Sequence, residues 1–296
     1  MALVGSVKNA EAQSNAINKA ASGLSLPPLR RTSTNVEGKA TILVYSQARW
    51  GKTRLARTIK GSCLILAGEI GARKGLGTLQ DCDIPYIVFE NEKHLGLILG
   101  ELNKRADGVV EYMGDRFDWV FMDSLSAAGE MWYDAAKDAL KVPPGDMASI
   151  AGVDGRQLYG YVAERGRQQF KMLLNLNAHL CVVAREGVQE EGTGQAKIQF
   201  VAPEIPGQKL PRELPGWPDA TLHGVIHNGK RLMRTKTVAK AVAGIRLPDR
   251  MKDQNITVPE LILPDLEALK DLMLGDPSAI ARLTPGKDEA AKAPSR

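Results

Sequence analysis

Several features that would assign this chain to a specialised class are scarce or missing. Aromatic residues make up only 5% of its 296 residues, and it has three cysteines, Cys63, Cys82 and Cys181. Two of them lie inside apolar runs, so we expect no disulfide framework, and a reducing cytoplasm fits better. No uninterrupted run of about 18 apolar residues is present, so we expect no transmembrane helix. The first residues lack the basic-then-apolar order of a signal peptide.

The chain does have a large apolar fraction and a small excess of positive charge. Apolar residues account for 44% and the net charge is +5, a balance that permits nucleic-acid binding without demonstrating it. The composition along the chain predicts four parts. They are a flexible N-terminal arm over residues 1–38, one large domain over 39–253, a C-terminal helical extension over 254–274 and a disordered tail over 275–296.

Short apolar segments alternate with amphipathic helical segments through the first two thirds of the chain. Segments rich in β-branched residues predict strands at 40–45, 63–67, 85–89, 119–122 and 179–184. Strands that alternate with helices indicate a mostly parallel sheet with helices on both faces. Later segments at 197–201, 220–227 and 231–236 lie between Gly and Pro turns and predict antiparallel strands at one edge of that sheet. The predicted fold class is therefore α/β.

The first predicted strand runs into a loop that opens a helix. The loop reads Ser46-Gln47-Ala48-Arg49-Trp50-Gly51-Lys52-Thr53. It fits the phosphate-binding pattern G-x-x-x-x-G-K-[ST], except that serine replaces the first glycine. In such a loop, backbone N–H groups cradle the phosphates, Lys52 reaches the β- and γ-phosphates, and the Thr53 hydroxyl coordinates Mg²⁺. We therefore expect these eight residues to bind ATP and Mg²⁺; an ordinary strand-turn-helix connection is the alternative.

Two carboxylates end neighbouring strands of the predicted sheet. Asp123 follows the apolar segment 119–122, where a carboxylate completes the water shell of a bound metal ion; the alternative is a helix N-cap. Glu69 follows the second predicted strand. Because the carboxyl ends of parallel strands face one crevice, we expect Glu69 near the γ-phosphate, where it orients or deprotonates the attacking water. Its alternative is a surface glutamate in a turn.

The order of these motifs resembles that of the RecA/DnaB-type ATPase core. The phosphate loop is followed by the strand ending in Glu69, the strand ending in Asp123-Ser124 and a polar strand end at Arg185-Glu186. More narrowly, the chain is similar to phage nucleotide-binding proteins that consist of a RecA-like core with little else, some of which are single-strand annealing or recombination proteins of the Sak type. Further segments shared with that group are residues 158–160, Pro206-Gly207, Leu214-Pro215 and Asp219. The resemblance covers residues 38–250.

This resemblance implies an ATP-binding and ATP-hydrolysing protein of phage type with a RecA-like P-loop core. It implies that Lys52 and Thr53 are the nucleotide and magnesium ligands. It further implies that Asp123 is the metal-shell carboxylate and Glu69 the water-activating base. Arg185 takes the position of a polar sensor of the γ-phosphate, with a solvated strand end as the alternative.

The resemblance also implies partners. They are single-stranded DNA, further copies of the chain in a ring or filament, and a single-strand-binding protein, in the cytoplasm of a bacterial host. The candidate DNA surface is the segment 220–248, which contains no acidic residue and so could neutralise phosphates. Its cations are Lys230, Arg231, Arg234, Lys236, Lys240 and Arg246, and the first five are the candidate DNA contacts. The alternatives are a solvated edge, or a side chain such as Arg234 or Lys236 that reaches the ATP of a neighbouring copy.

Three functions remain open from the sequence. The leading hypothesis is an ATPase that acts on single-stranded DNA in recombination or annealing. A nucleotide-gated binding protein with little turnover is the second, and Ser46 in the loop favours it. A P-loop kinase of small molecules is the third, although no Arg-rich lid is apparent and Glu69 suits water activation better.

Overall fold

The computed structural model describes residues 38–68, 75–104, 109–142, 155–191, 198–238 and 240–286. All of these except Gly38 belong to one compact unit, Lys39–Arg296. Within the described residues, none of the helices combines the length and the apolar character that a membrane span requires.

The regular elements follow the predicted alternation of strands and helices. The strands are β1 (Thr41–Ser46), β2 (Cys63–Gly68), β3 (Tyr86–Phe89), β4 (Val110–Tyr112), β5 (Asp115–Phe117), β6 (Trp119–Asp123), β7 (His179–Glu191), β8 (Ile198–Pro203), β9 (Ala220–His227), β10 (Lys230–Arg234), β11 (Gly244–Ile245) and β12 (Leu261–Ile262). The α-helices are α1 (Glu92–Leu102), α2 (Leu125–Ala139), α3 (Gly155–Leu174), α4 (Lys209–Glu213), α5 (Asp249–Asp253), α6 (Leu266–Met273) and α7 (Ala279–Leu283). Short 3-10 helices cover Thr53–Thr58, Gly77–Leu79 and Leu214–Gly216.

The main sheet has a parallel centre and antiparallel edges. Its strand order is β12-β10-β9-β1-β7-β6-β2-β3. The pairs from β9 through β3 are all parallel. Antiparallel pairing occurs where β10 meets β9 and β12, where β11 meets β9, and where β8 meets the far end of β7. The α/β fold class, with a mostly parallel sheet and antiparallel edge strands, is confirmed.

Helices cover both faces of the sheet because the central strands are apolar on both sides. In β1, Leu43 and Tyr45 belong to a core cluster that includes residues of α1, α2 and α3. Ile42 and Val44 belong to a second cluster, shared with the 3-10 helix Thr53–Thr58, α6 and α7. This agrees with the rule that parallel strands buried on both faces read as continuous apolar runs.

Side-chain caps set the starts of three helices. Asn91 accepts a hydrogen bond from the N–H of His94 at the start of α1, and Ser124 accepts one from Ala127 at the start of α2. Asp265 caps α6 in the same way. Each cap satisfies a backbone N–H that has no partner within its helix.

The C-terminal region differs from the predicted disordered tail. Residues 275–286 are described, and α7 has Ala279 and Leu283 fully buried. The carbonyl of Leu283 also accepts a hydrogen bond of 2.8 Å from the N–H of Leu263. Five residues are too few for a periodic pattern to reveal a helix, and such a short helix depends on packing rather than on local propensity.

Candidate nucleotide-binding site

The predicted phosphate loop lies at the carboxyl edge of the parallel strands. Ser46, the last residue of β1, pairs with Arg185 of β7 on one side and Gly224 of β9 on the other. Asp123 ends β6 and pairs with Val183 of β7. The register therefore brings the ends of β1 and β6 beside the point where β7 leaves the parallel sheet, as the sequence predicts for a ligand crevice.

The ammonium group of Lys52 is held inside the loop by neutral oxygens. It donates to the carbonyl of Ser46 at 3.0 Å, to the Ser46 hydroxyl at 3.2 Å and to the carbonyl of Gln47 at 2.8 Å. Burial lowers the pKa of Lys52, and the nearby carboxylates of Asp123 and Glu186 oppose that shift. A partly buried cation whose direct acceptors are neutral is well placed to bind an anionic ligand such as phosphate.

Thr53 and Asp123 form the second half of the site. The Thr53 hydroxyl donates to Oδ2 of Asp123 at 2.5 Å. Burial raises the pKa of Asp123, while the Thr53 hydrogen bond and the charge of Lys52 lower it. A Cβ atom placed on Gly75 would lie 3.0 Å from Oγ1 of Thr53 and 3.7 Å from Oδ2 of Asp123. The bare glycine therefore leaves room beside a hydroxyl and a carboxylate, which are the hard oxygen ligands that Mg²⁺ binds together with phosphates.

Glu69, the predicted base, lies outside the described residues, and its role stays a prediction. The chain on either side of it is close to the site. Ala67 of β2 pairs with Asp123, Gly68 ends β2, and Gly75 lies against Thr53 and Asp123.

Arg185, the predicted sensor, lies in β7 beside the end of β1, and its side chain is already paired with carboxylates. Its guanidinium donates to the carboxylates of Glu130 and Glu204. The next residue, Glu186, lies 2.8 Å from Nε2 of His223. The sensor role of Arg185 also stays a prediction, because two carboxylates hold a side chain that would have to turn to a phosphate.

The backbone of the loop explains how serine is accommodated at its first position. Ser46 is the last residue of β1. The left-handed backbone angles occur later in the loop, at Arg49 with φ of 65° and at Gly51 with φ of 107°. A residue with a side chain can occupy the left-handed region around the φ of Arg49, whereas the φ of Gly51 lies beyond that region, so the strict requirement for glycine falls on Gly51.

Trp50 is the residue that ties the loop to the sheet. Its side chain is only 2% exposed, and its Nε1 donates to the carbonyl of Val225 at 2.8 Å. A Cβ atom on Gly224 would lie 2.7 Å from Cε2 of Trp50 and 2.8 Å from Cβ of Ser46. Glycine in β9 thus provides the space that Ser46 and Trp50 occupy, so the two departures from the motif share one structural explanation.

The cations predicted to contact DNA do not share one surface. Three lie on β10 and two after it: Lys230, Arg231, Arg234, Lys236 and Lys240. Successive residues of a strand point to opposite faces, so Arg231 is separated from Lys230 and Arg234. A Cβ atom on Gly51 would lie 3.3 Å from Cδ and Nε of Arg231, which places that side chain against the phosphate loop. Arg234 lies 3.6 Å from Glu260.

The fold and this edge of the sheet define a P-loop NTPase-type domain. Residues 38–247, more than half of the chain, match the family described as AAA domain. The chain therefore belongs to that family, whose members are usually ATPases, and this indicates nucleotide binding and hydrolysis with Mg²⁺. No curated protein sequence matches the chain.

Some residues of the site could not be recognised from the sequence. Gly75, Gly224 and Arg231 reach the loop only through the fold, and Glu186 reaches it through the register of β7. The one local signal was the polar end of an apolar strand at Glu186, because such ends face the crevice of a parallel sheet.

Proposed function

We propose that the protein is a Mg²⁺-dependent ATPase that acts on single-stranded DNA in recombination or annealing, like the Sak-type phage proteins that it resembles. The observation that carries the nucleotide part is the hydrogen bond between Thr53 and Asp123 beside the partly buried ammonium group of Lys52. AAA-domain membership supports it independently.

Each residue of this edge has a separate task in the proposed reaction. Thr53 and Asp123 hold Mg²⁺, which neutralises phosphate charge when it is bound. Lys52 is the cation for the β- and γ-phosphates. Hydrolysis forms a bond between a water oxygen and the γ-phosphorus and breaks the bond to ADP, and Glu69 accepts the proton of that water. Arg185 responds to the γ-phosphate by exchanging one of its carboxylate partners for it.

A cleft beside α3 supports the DNA part of the proposal. Its volume is about 720 Å³, and its charged lining residues are Arg156, Lys209 and Arg167, with no Asp or Glu among the described residues that line it. The guanidinium of Arg167 donates to both carboxylate oxygens of Glu213, at 2.8 Å and 2.9 Å, so its charge is already balanced. Tyr159, 43% exposed, also lines it, and its ring stacks on Tyr133 with centroids 6.0 Å apart. Single strands are bound by aromatic rings that stack on bases and by cations that follow the phosphates. We therefore propose this cleft as the DNA surface in place of the dispersed cations on and after β10.

Assembly as a ring or filament is part of the same proposal. The resemblance supports it, as does the position of Arg234 and Lys236 near the edge of the sheet, from which a side chain could reach the ATP of a neighbouring copy. Light scattering after gel filtration, with and without ATP and DNA, measures the copy number. A single-strand-binding protein is the proposed additional partner, and its addition to the DNA-stimulated ATPase assay tests this.

The experiment that tests the function is ATP hydrolysis with and without single-stranded DNA. We expect DNA to stimulate hydrolysis, and we expect Lys52→Ala and Glu69→Gln to abolish it. Glu69→Gln should still bind ATP, because the glutamine keeps the shape of the side chain and loses only its basic oxygen. ATP binding without turnover or response to DNA would instead support a nucleotide-gated binding protein.

A separate variant tests the proposed DNA surface. Tyr159→Ala should weaken single-stranded DNA binding by about tenfold, since stacking contributes about 1–3 kcal/mol per base. Tyr86→Ala, which removes a tyrosine that is 56% exposed on β3, is the matched control and should bind normally. Equal DNA binding by both variants would contradict the cleft as the surface.

A further inference from the structure

A second, smaller cavity adjoins the phosphate loop on the side of β10. Its volume is about 140 Å³, and it is lined by Trp50, Gly51, Arg54, Leu55, Arg231 and Pro264. The apolar side chains of Trp50, Leu55 and Pro264 form walls, and two guanidinium groups complete the lining. Arg54 directly follows the predicted magnesium ligand, whereas Arg231 and Pro264 come from distant parts of the chain.

Both arginines at this cavity are unpaired with carboxylates among the described residues. No ion pair or hydrogen bond is formed there by the side chain of Arg54 or by that of Arg231, in contrast to Arg57, which binds Asp81. Both side chains are exposed. Two cations without carboxylate partners repel each other, and an electron-rich group that lies between them offsets this repulsion.

We propose that this cavity receives the base of the bound nucleoside triphosphate, and that Arg54 and Arg231 hold it there. This inference rests on the proposed nucleotide function. Guanidinium groups stack on aromatic rings, and apolar walls suit the faces of a base. Arg231 thereby takes a role at the nucleotide, in place of the DNA contact that its position in a basic segment predicts.

The hydrogen-bonding character of the lining has a consequence for selectivity. Arginine only donates, and the indole N–H of Trp50 is already bound to Val225. Guanine presents two acceptors, O6 and N7, whereas adenine presents N7 and an amino donor. Because none of these lining side chains accepts, neither the amino group of adenine nor the N1–H and amino donors of guanine have a side-chain partner. Stacking and apolar contact do not distinguish the two bases, so we expect ATP and GTP to bind within about tenfold of each other.

The test is calorimetric titration of the full chain with Mg²⁺ and three probes: ATP, GTP and inorganic tripolyphosphate. The variants are Arg54→Gln, Arg231→Gln and Lys52→Ala, with Arg116→Gln on the exposed hairpin β4-β5 as the matched control. We expect each of the first two to raise the Kd for ATP about five- to thirtyfold and the Kd for tripolyphosphate by less than about twofold. Lys52→Ala should weaken all three probes, and Arg116→Gln none.

Each other outcome has a definite meaning. If Arg54→Gln and Arg231→Gln weakened ATP and tripolyphosphate binding equally, the arginines would hold phosphates. If they left ATP affinity unchanged while Lys52→Ala weakened it, the base would lie elsewhere. Either result overturns the inference and leaves the nucleotide function standing. A preference above about tenfold for either ATP or GTP contradicts a pocket that holds the base by stacking alone. Absence of binding, or binding unaffected by Lys52→Ala, overturns the nucleotide function and this inference together.

Discussion

Replacing Gly224 with alanine tests whether β9 positions the phosphate loop. The added methyl group would lie 2.7 Å from Cε2 of Trp50, 2.8 Å from Cβ of Ser46 and 2.9 Å from Cδ2 of Trp50. None of these atoms is the end of a flexible chain, because the indole is buried and hydrogen-bonded to Val225. The methyl group can be accommodated only if Trp50 moves, and Trp50 is adjacent to Gly51.

The magnitude follows from the overpacking of a close-packed site. Such insertions lower the free energy of unfolding by about 1–3 kcal/mol. Alanine offsets roughly 0.5–1 kcal/mol of this loss, because it leaves the unfolded chain less conformational freedom than glycine does. The net loss therefore lies between about 0 and 2.5 kcal/mol, and its midpoint of about 1.2 kcal/mol corresponds to a fall in Tm of about 2–5 °C for a domain of this size. We also expect the Kd for Mg·ATP to rise by about tenfold or more, since the displaced indole moves the loop.

The assay pairs thermal unfolding, followed by circular dichroism, with ATP titration. Gly244→Ala is the matched control, because Gly244 lies in β11 of the same sheet, and a Cβ atom there would meet no atom within 4 Å. It should leave Tm and affinity unchanged or raise Tm slightly. If Gly224→Ala matched Gly244→Ala in both measurements, the idea that Trp50 packing against β9 shapes the loop would be refuted.

Three further predictions concern single side chains. Burial raises the pKa of Asp123 above its ordinary value of 3.8. Between these two pKa values the folded protein keeps a proton that the unfolded chain has released. Without nucleotide, the free energy of unfolding therefore falls as pH rises from 3.8 through the raised pKa. Asp123→Asn should remove this fall in unfolding experiments across that pH range and should also lose stabilisation by Mg·ATP; an unchanged pH profile would contradict the burial argument. Burial raises the pKa of Cys63 to about 12 and that of Cys181 well above its ordinary value, so a thiol reagent should label only Cys82 before unfolding, and fast labelling of more than one thiol would disprove it. Trp50→Phe leaves a carbonyl of β9 without its donor and should lower stability by about 1–3 kcal/mol in urea unfolding, whereas an unchanged midpoint would show that the indole N–H contributes little.

Much of the fold could be predicted from the sequence because the relevant patterns are local. Continuous apolar runs identify β1, β2, β6 and the first half of β7, since each run is buried on both faces. The second half of β7 was not predicted, because residues 186–191 are polar or charged apart from Gly187 and Val188. They form a strand through antiparallel pairing with β8.

The phosphate-binding residues Lys52, Thr53 and Asp123 are recognisable in the sequence, because each follows the end of an apolar strand within a few positions. Which other residues surround the loop depends on the fold. Gly224 makes room for Trp50, Gly75 lies beside Thr53, and Arg231 lies against the loop instead of on a common basic surface. The physical reason is that these contacts join segments far apart in the chain, where the sheet register and the alternation of side chains along β10, rather than sequence spacing, determine which atoms meet.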